Sequence, residues 1–232
     1  MPISFYVKST KEYLAATLWL PKLNATAGLI FCHGWGGGLQ YDDLLEALAD
    51  NGYFAMRFQQ RGYGNSTGQS DLGLWVEDMT ACASVLGAVT HKIWAAGQST
   101  GGTMSLIAAA TQPCFAGAVS LAPFCSLEQI LRDNAEAKSI LESRFGPLQE
   151  KHHRAADALT LTHGMNKPVL LIHGTDDRTV PIAHGKQLAE SIGETATFFP
   201  VEGGDHHLRS VNRRLIIETI LAWLDAQDRN SQ

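Results

Sequence analysis

The segment IWAAGQSTGGTMS, residues 93–105, decides how the rest of the chain is read. Ile93 to Ala96 is an apolar run of strand length, and a helix is expected from about Thr100 to Thr111. Between them Gly97-Gln98-Ser99-Thr100-Gly101 fits G-x-S-x-G, in which a serine stands exposed on a sharp strand-to-helix turn that tolerates only small neighbours. The small residues Gly101, Gly102, Thr103 and Ser105 let the new helix lie close against a sheet. A helix beginning just after Ser99 also aims free N–H groups and a positive dipole end at charge developing beside the serine. The pentapeptide by itself is a weak signal in a chain with 22 glycines, and the plainer reading makes Ser99 an N-cap in a Gly-rich turn. Its strand–turn–helix setting is what favours the chemical reading.

Outward from this turn, short apolar runs alternate with amphipathic stretches of helix length, the rhythm of a parallel sheet with helical crossovers. Strands are expected at 14–20, 28–32, 53–58, 116–121, 169–173 and 195–199. Helices are expected at about 41–50, 74–89, 182–192 and 209–227. From Phe124 to about Met165 the apolar residues recur at helical spacing, which suggests a small helical cap inserted between strands. The expected architecture is therefore α/β: one domain over 1–232, with a mostly parallel central sheet, helices on both faces and a cap at about 124–165.

Five pieces together, FCHGWGGG (31–38), RGYGNSTG (61–68), AAGQSTGG (95–102), LIHGTDDRTVP (171–181) and EGGDHH (202–207), resemble the α/β-hydrolase superfamily over nearly the whole chain. They are closest to its small esterase and dienelactone-hydrolase-like or serine-aminopeptidase-like branches. Gln59 and Gln60 depart from the acidic or aromatic residues commoner at their positions. A serine hydroxyl needs a neighbouring base held by a carboxylate, and in this superfamily the chain order is Ser, acid, His. The resemblance to H-G-x-x-D-x-x-V-P implies Asp177 as the acid, with Asp176 as a turn-forming competitor. It implies His206 as the base, with His207 beside it in a solvent-facing or capping role. It further implies the backbone N–H groups of Trp35 and Thr100 as oxyanion donors, while His33 hydrogen-bonds within its loop.

Other functions fit the residues less well. Hydrophobic residues are 45% and charged residues 18%, a globular composition, and a net charge of -5 without basic clusters argues against nucleic acid as a partner. The Gly-rich loop lacks the lysine of a P-loop and does not fit G-x-G-x-x-G. The adjacent pairs His152-His153 and His206-His207 lack the spacing of metal ligands, so no metal or cofactor is expected. Four scattered cysteines read as reduced thiols; without a signal-like start or a membrane-length apolar run, the expected location is cytoplasmic. Trp35, Phe124, Leu127 and Phe145 are candidates for an acyl pocket, although for any single one of the cap residues a helix face packed on the domain is the favoured reading. The expected activity is hydrolysis of carboxylic esters with small to medium acyl groups, the ester being a small-molecule partner. A thioesterase, a short-peptide peptidase and a non-catalytic ligand-binding protein remain alternatives.

Overall fold

The computed structural model describes residues 2–25, 27–38, 41–208, 211 and 213–229. Eight strands form one sheet: β1 (Ile3–Ser9), β2 (Glu12–Trp19), β3 (Ala27–Cys32), β4 (Tyr53–Phe58), β5 (Ile93–Gln98), β6 (Gly117–Leu121), β7 (Val169–Gly174) and β8 (Ala196–Val201). Their spatial order is β1-β2-β4-β3-β5-β6-β7-β8. The β1/β2 and β2/β4 pairs are antiparallel and the other five pairs are parallel. Nine α-helices stand among the described residues: α1 (Asp42–Asp50), α2 (Trp75–Leu86), α3 (Thr100–Thr111), α4 (Leu127–Asp133), α5 (Ala137–Phe145), α6 (Glu150–Ala155), α7 (Ala158–Leu161), α8 (Ile182–Ile192) and α9 (Arg213–Arg229). None of them is long and apolar enough to cross a membrane.

Period-two alternation in the central strands feeds two cores, because a parallel strand covered on both faces must be apolar on both. In β3, Leu29 and Phe31 join Leu44, Leu45 and Leu48 of α1 and Ile216, Ile220 and Leu224 of α9. Ile30 and Cys32 point the other way, to Met79 and Leu86 of α2, Leu106 of α3 and Leu188 of α8. Helix α3 is buried from Thr100 to Ala109, lying on β3, β5 and β6 and covered by α2 and α7. A helix enclosed on every side needs no polar stripe, and the sequence TGGTMSLIAAAT has almost none.

Strand β3 lies between β4 and β5, so the chain leaves it through α1 to one side and returns through α2 to the other. Connections that diverge to opposite faces leave a crevice at the carboxyl ends of the strands, the usual ligand position in an open α/β sheet. The Gly-rich turn after β3 and the Ser99 turn after β5 both open there.

Besides shifts of a residue or two at strand ends, the structure differs from expectation at the chain start and in α2. Residues 3–9, not anticipated as a strand, form the edge strand β1, whose last residue is buried because Ser9 Oγ donates to Asp78 Oδ1 at 2.7 Å. Helix α2 stops at Leu86, three residues early, preceded by a 3-10 turn at Leu72–Leu74 whose Asp71 carboxylate accepts from Gly73 N–H. Helix α9 is described over Arg213–Arg229; residues 209, 210 and 212 of the expected 209–227 helix lie outside the described residues. The expected helical segment after β6 consists of the four short helices α4 to α7.

Candidate active site

Ser99 joins β5 to α3 with φ 57° and ψ -122°, a left-handed backbone that side chains rarely adopt. The glycines around it make that turn possible. A Cβ at Gly97 would lie 2.4 Å from the Gly101 carbonyl, and one at Gly101 would lie 2.2 Å from the Cys32 carbonyl oxygen. The turn is pinned by Ser99 N–H donating to the Leu121 carbonyl at 2.8 Å and Thr103 N–H donating to the Ser99 carbonyl at 2.9 Å.

Ser99, His206 and Asp177 meet in one chain of hydrogen bonds. His206 Nε2 is 3.0 Å from Ser99 Oγ, and His206 Nδ1 is 2.8 Å from Asp177 Oδ2. A carboxylate only accepts, so Nδ1 carries the proton and Nε2 is left to accept from the serine hydroxyl. The loops after β7 and β8 carry the acid and the histidine, and they approach until a Cβ at Gly174 would lie 2.1 Å from the Gly204 carbonyl oxygen. Asp177 Oδ1 accepts from the N–H groups of Thr179 and Val180 at 2.9 and 2.8 Å. Burial pushes the Asp177 carboxyl up, but hydrogen bonds from His173 and His206 outweigh it and hold the group well below the usual carboxylate range. Asp176 points to solvent, and the His207 ring lies beside that of His206, 5.2 Å between centroids. Gln98, unmarked in the sequence reading, donates from Nε2 to the His206 carbonyl at 3.1 Å, tying the serine turn to the histidine loop.

Trp35 lies in the turn closed by Gly37 N–H donating to the Gly34 carbonyl at 3.0 Å. The N–H of Thr100 is the first of α3, a position with no intrahelical acceptor. His33 underpins the turn: Nδ1–H donates to the Gly34 carbonyl at 2.6 Å and Nε2 accepts from Gln60 N–H at 3.0 Å. Burial lowers its pKa to about 4, so the ring is a neutral strut with both nitrogens engaged.

A cavity of about 750 Å³ opens over Ser99 and His206. Trp35 lines it, together with Tyr41, Ile140, Asp133, Glu136 and Arg178. The structure does not bring Phe124, Leu127 and Phe145 there: Phe124 and Leu127 are fully buried in the core, and Phe145 stands edge-on to Trp75 at 5.9 Å between centroids. Phe124 is drawn inward because its N–H and carbonyl both bond Thr103 Oγ1 of α3, at 3.0 and 2.9 Å. The wall comes instead from the link between α4 and α5, which Asn134 Nδ2 fastens to the Asp177 loop by donating to the Thr179 carbonyl at 3.0 Å. Among the described residues no group of three or more His, Cys, Asp or Glu could hold a metal ion. His152 turns inward to accept from Gln149 N–H at the start of α6.

Comparison with known proteins agrees with this architecture. Est1E from Butyrivibrio proteoclasticus, solved with ferulic acid bound, is 21% identical, with a TM-score of 0.78 over 96% of this chain and 98% of its own. Proline iminopeptidase from Mycobacterium smegmatis is 17% identical with a TM-score of 0.79, covering 99% of this chain and 100% of its own. The Pyrococcus furiosus esterase PF2001 is 17% identical with a TM-score of 0.80, over 97% and 91%. At such identities these likenesses establish the shared α/β-hydrolase fold. A model of the prolyl oligopeptidase family matches residues 45–230, a span that takes in the Ser99 turn and the loops of Asp177 and His206. With four fifths of its length inside that match, the chain belongs to the prolyl oligopeptidase family, within the α/β-hydrolase superfamily.

Proposed function

We propose that the protein is a serine hydrolase that cleaves carboxylic esters of small to medium acyl groups. Ser99 is the nucleophile, His206 the base and Asp177 the orienting acid. The observation that carries the reading is the unbroken contact from Ser99 Oγ through His206 to Asp177, at 3.0 and 2.8 Å. In the first step His206 Nε2 takes the hydroxyl proton as Oγ attacks the carbonyl carbon. The oxygen that becomes negative is met by the N–H groups of Trp35 and Thr100, donors worth about 3 to 4 kcal/mol each in comparable sites. His206 then returns the proton to the leaving alcohol, and water repeats the sequence to release the acid from the acyl-enzyme.

The polar cavity with Trp35 and Ile140 suits a compact acyl group better than a long aliphatic chain. Helices α4 to α7 are read as a cap on a single domain, and the four free cysteines support a cytoplasmic setting. A short-peptide peptidase is the second reading, favoured by the family match and by the peptidase among the similar structures.

The test is hydrolysis of p-nitrophenyl esters of increasing acyl length, and of aminoacyl p-nitroanilides, by the native protein and by Ser99→Ala. Ester turnover that falls by about 10⁴ or more in the variant supports the main reading. Turnover of anilides alone moves the assignment to a peptidase, and equal rates in both proteins overturn the serine mechanism.

A further inference from the structure

We propose that His173 is a positioning residue for the Asp177–His206 pair, sharing one carboxylate oxygen with His206 and so setting how strongly Asp177 supports it. The role rests on the hydrolase reading above. His173 lies in β7, four residues before Asp177, and is fully buried. Its Nε2–H donates to the Val180 carbonyl at 2.8 Å and lies 3.3 Å from Asp177 Oδ2, the oxygen that His206 Nδ1 also contacts. The other nitrogen, Nδ1, has no hydrogen-bond partner among the described residues. It faces Gly185 of α8, where a Cβ would come within 2.6 Å of Nδ1 and 3.0 Å of the Phe198 ring. The ring therefore fits only against a glycine, and with no acceptor for Nδ1 the N–H is placed on Nε2, where the Val180 carbonyl accepts it.

Asp177 thus accepts from three N–H donors, Thr179 and Val180 on Oδ1 and His206 on Oδ2, while the His173 Nε2–H, bonded to the Val180 carbonyl, stands 3.3 Å from Oδ2 as a second positive edge. Each donor fixes the carboxylate plane, and each withdraws some of the charge available to a protonated His206. Other titratable groups stand around the pair: the His207 ring lies 5.2 Å from that of His206 between centroids, and the buried Cys125 Sγ is 3.2 Å from His184 Nδ1. His184 of α8 accepts from Cys125 N–H through Nδ1, and its Nε2 stands 3.4 Å from Asp133 of α4. Burial lowers the His184 pKa to about 4, so this ring is neutral near pH 7. Asp176 and Arg178, on the loop of Asp177, are exposed to solvent.

Removing the His173 donor leaves Oδ2 to His206 alone. The imidazolium is then better stabilised, and the acidic limb of the rate profile moves to higher pH while the carboxylate loses one of its restraints. The experiment compares native protein, His173→Leu and His173→Gln, the glutamine keeping an N–H donor at similar reach. Ester hydrolysis and the rate of Ser99 phosphonylation by a fluorophosphonate are followed from about pH 5 to 9.

The expected result for His173→Leu is kcat lower by about tenfold to a hundredfold at little-changed KM, with the acidic limb shifted upward in both assays. His173→Gln restores most of the rate and the native profile. A folded leucine variant with native kcat and an unshifted limb overturns the proposal. Should that variant not fold, nitrogen-15 NMR of the native protein decides: a His173 ring protonated on Nε2 across the range supports the role, and one protonated on Nδ1 overturns it. A native Ser99 inert to the fluorophosphonate overturns the hydrolase reading itself, an outcome distinct from a reactive Ser99 indifferent to His173.

Discussion

The floor of the cavity and its wall are built by different means. On the floor, the turns of residues 33–38, 97–101, 174–180 and 203–206 bring backbone to within contact of backbone, and glycine is required where a Cβ would collide at 2.1 to 2.4 Å. On the wall, Asp133 ends α4, Glu136 caps α5 and Ile140 lies in the first turn of α5, on short helices joined by a link rather than on turns closed by glycine. Floors made from colliding backbones constrain residue type tightly, and walls made from helix ends do so weakly. Substitutions on the floor should therefore act on rate and stability, and those on the wall on selectivity.

The largest effect expected is at the acid of the floor. Asp177→Asn should lower kcat by about 10⁴ while leaving the fold intact, because an amide no longer holds His206 with its proton on Nδ1. Ester kinetics together with thermal unfolding would check this, and an active variant would break the distinction at its strongest point. Gly101→Ala comes next: the added methyl must displace the Cys32 carbonyl, at a cost of about 1 to 3 kcal/mol or more in urea unfolding, with loss of activity as the turn shifts.

The floor should also respond to acid through His33. Its pKa is about 4 in the folded chain and near 6.5 when exposed, so between those values the unfolded chain binds a proton that the native chain does not. Stability therefore falls as pH drops through that window, by up to about 1.4 kcal/mol per pH unit for this ring. His184, lowered to about 4 by burial, acts in the same direction. Urea titrations at neutral and mildly acidic pH measure the slope, and a flat response would mean that these rings are not held neutral. The smallest effect is expected on the wall. Ile140→Ala should change relative KM across the ester series by several-fold, whereas Phe124→Leu should cost about 1 kcal/mol of stability with selectivity unchanged. Acyl-length profiles of the two variants, with their melting temperatures, would sharpen or erase the contrast.

The same contrast explains how much was legible beforehand. The α3 and α8 boundaries coincide with the sequence expectation because each has a sharp local stop or start, as with Pro181 before Ile182. Strand β1 left only a weak trace, since its buried end depends on Ser9 meeting Asp78, 69 residues away in the chain. Phe124 and Leu127 looked like pocket residues because apolar spacing says that a side chain is buried without saying against what. Gln98 lay inside a recognised pattern, yet its contact to His206 joins loops 108 residues apart in the chain, whereas His173 sits only four residues before the Asp177 it approaches, and what the sequence hid was which way its ring turns.

By itself, then, the sequence determined the alternation of strands and helices and the Gly-flanked serine turn, while the order of serine, acid and histidine came from the family resemblance of its motifs. The alternation and the turn are local consequences of backbone sterics and hydrophobic period, and they leave marks within a few residues. Only the tertiary structure decided that Ser99 Oγ and His206 Nε2 stand 3.0 Å apart, that Asp177 and not Asp176 faces inward, and that a link between short helices walls the cavity. Each of those outcomes depends on contacts between segments far apart in the chain, set by how the sheet orders its strands and how closely its loops can approach.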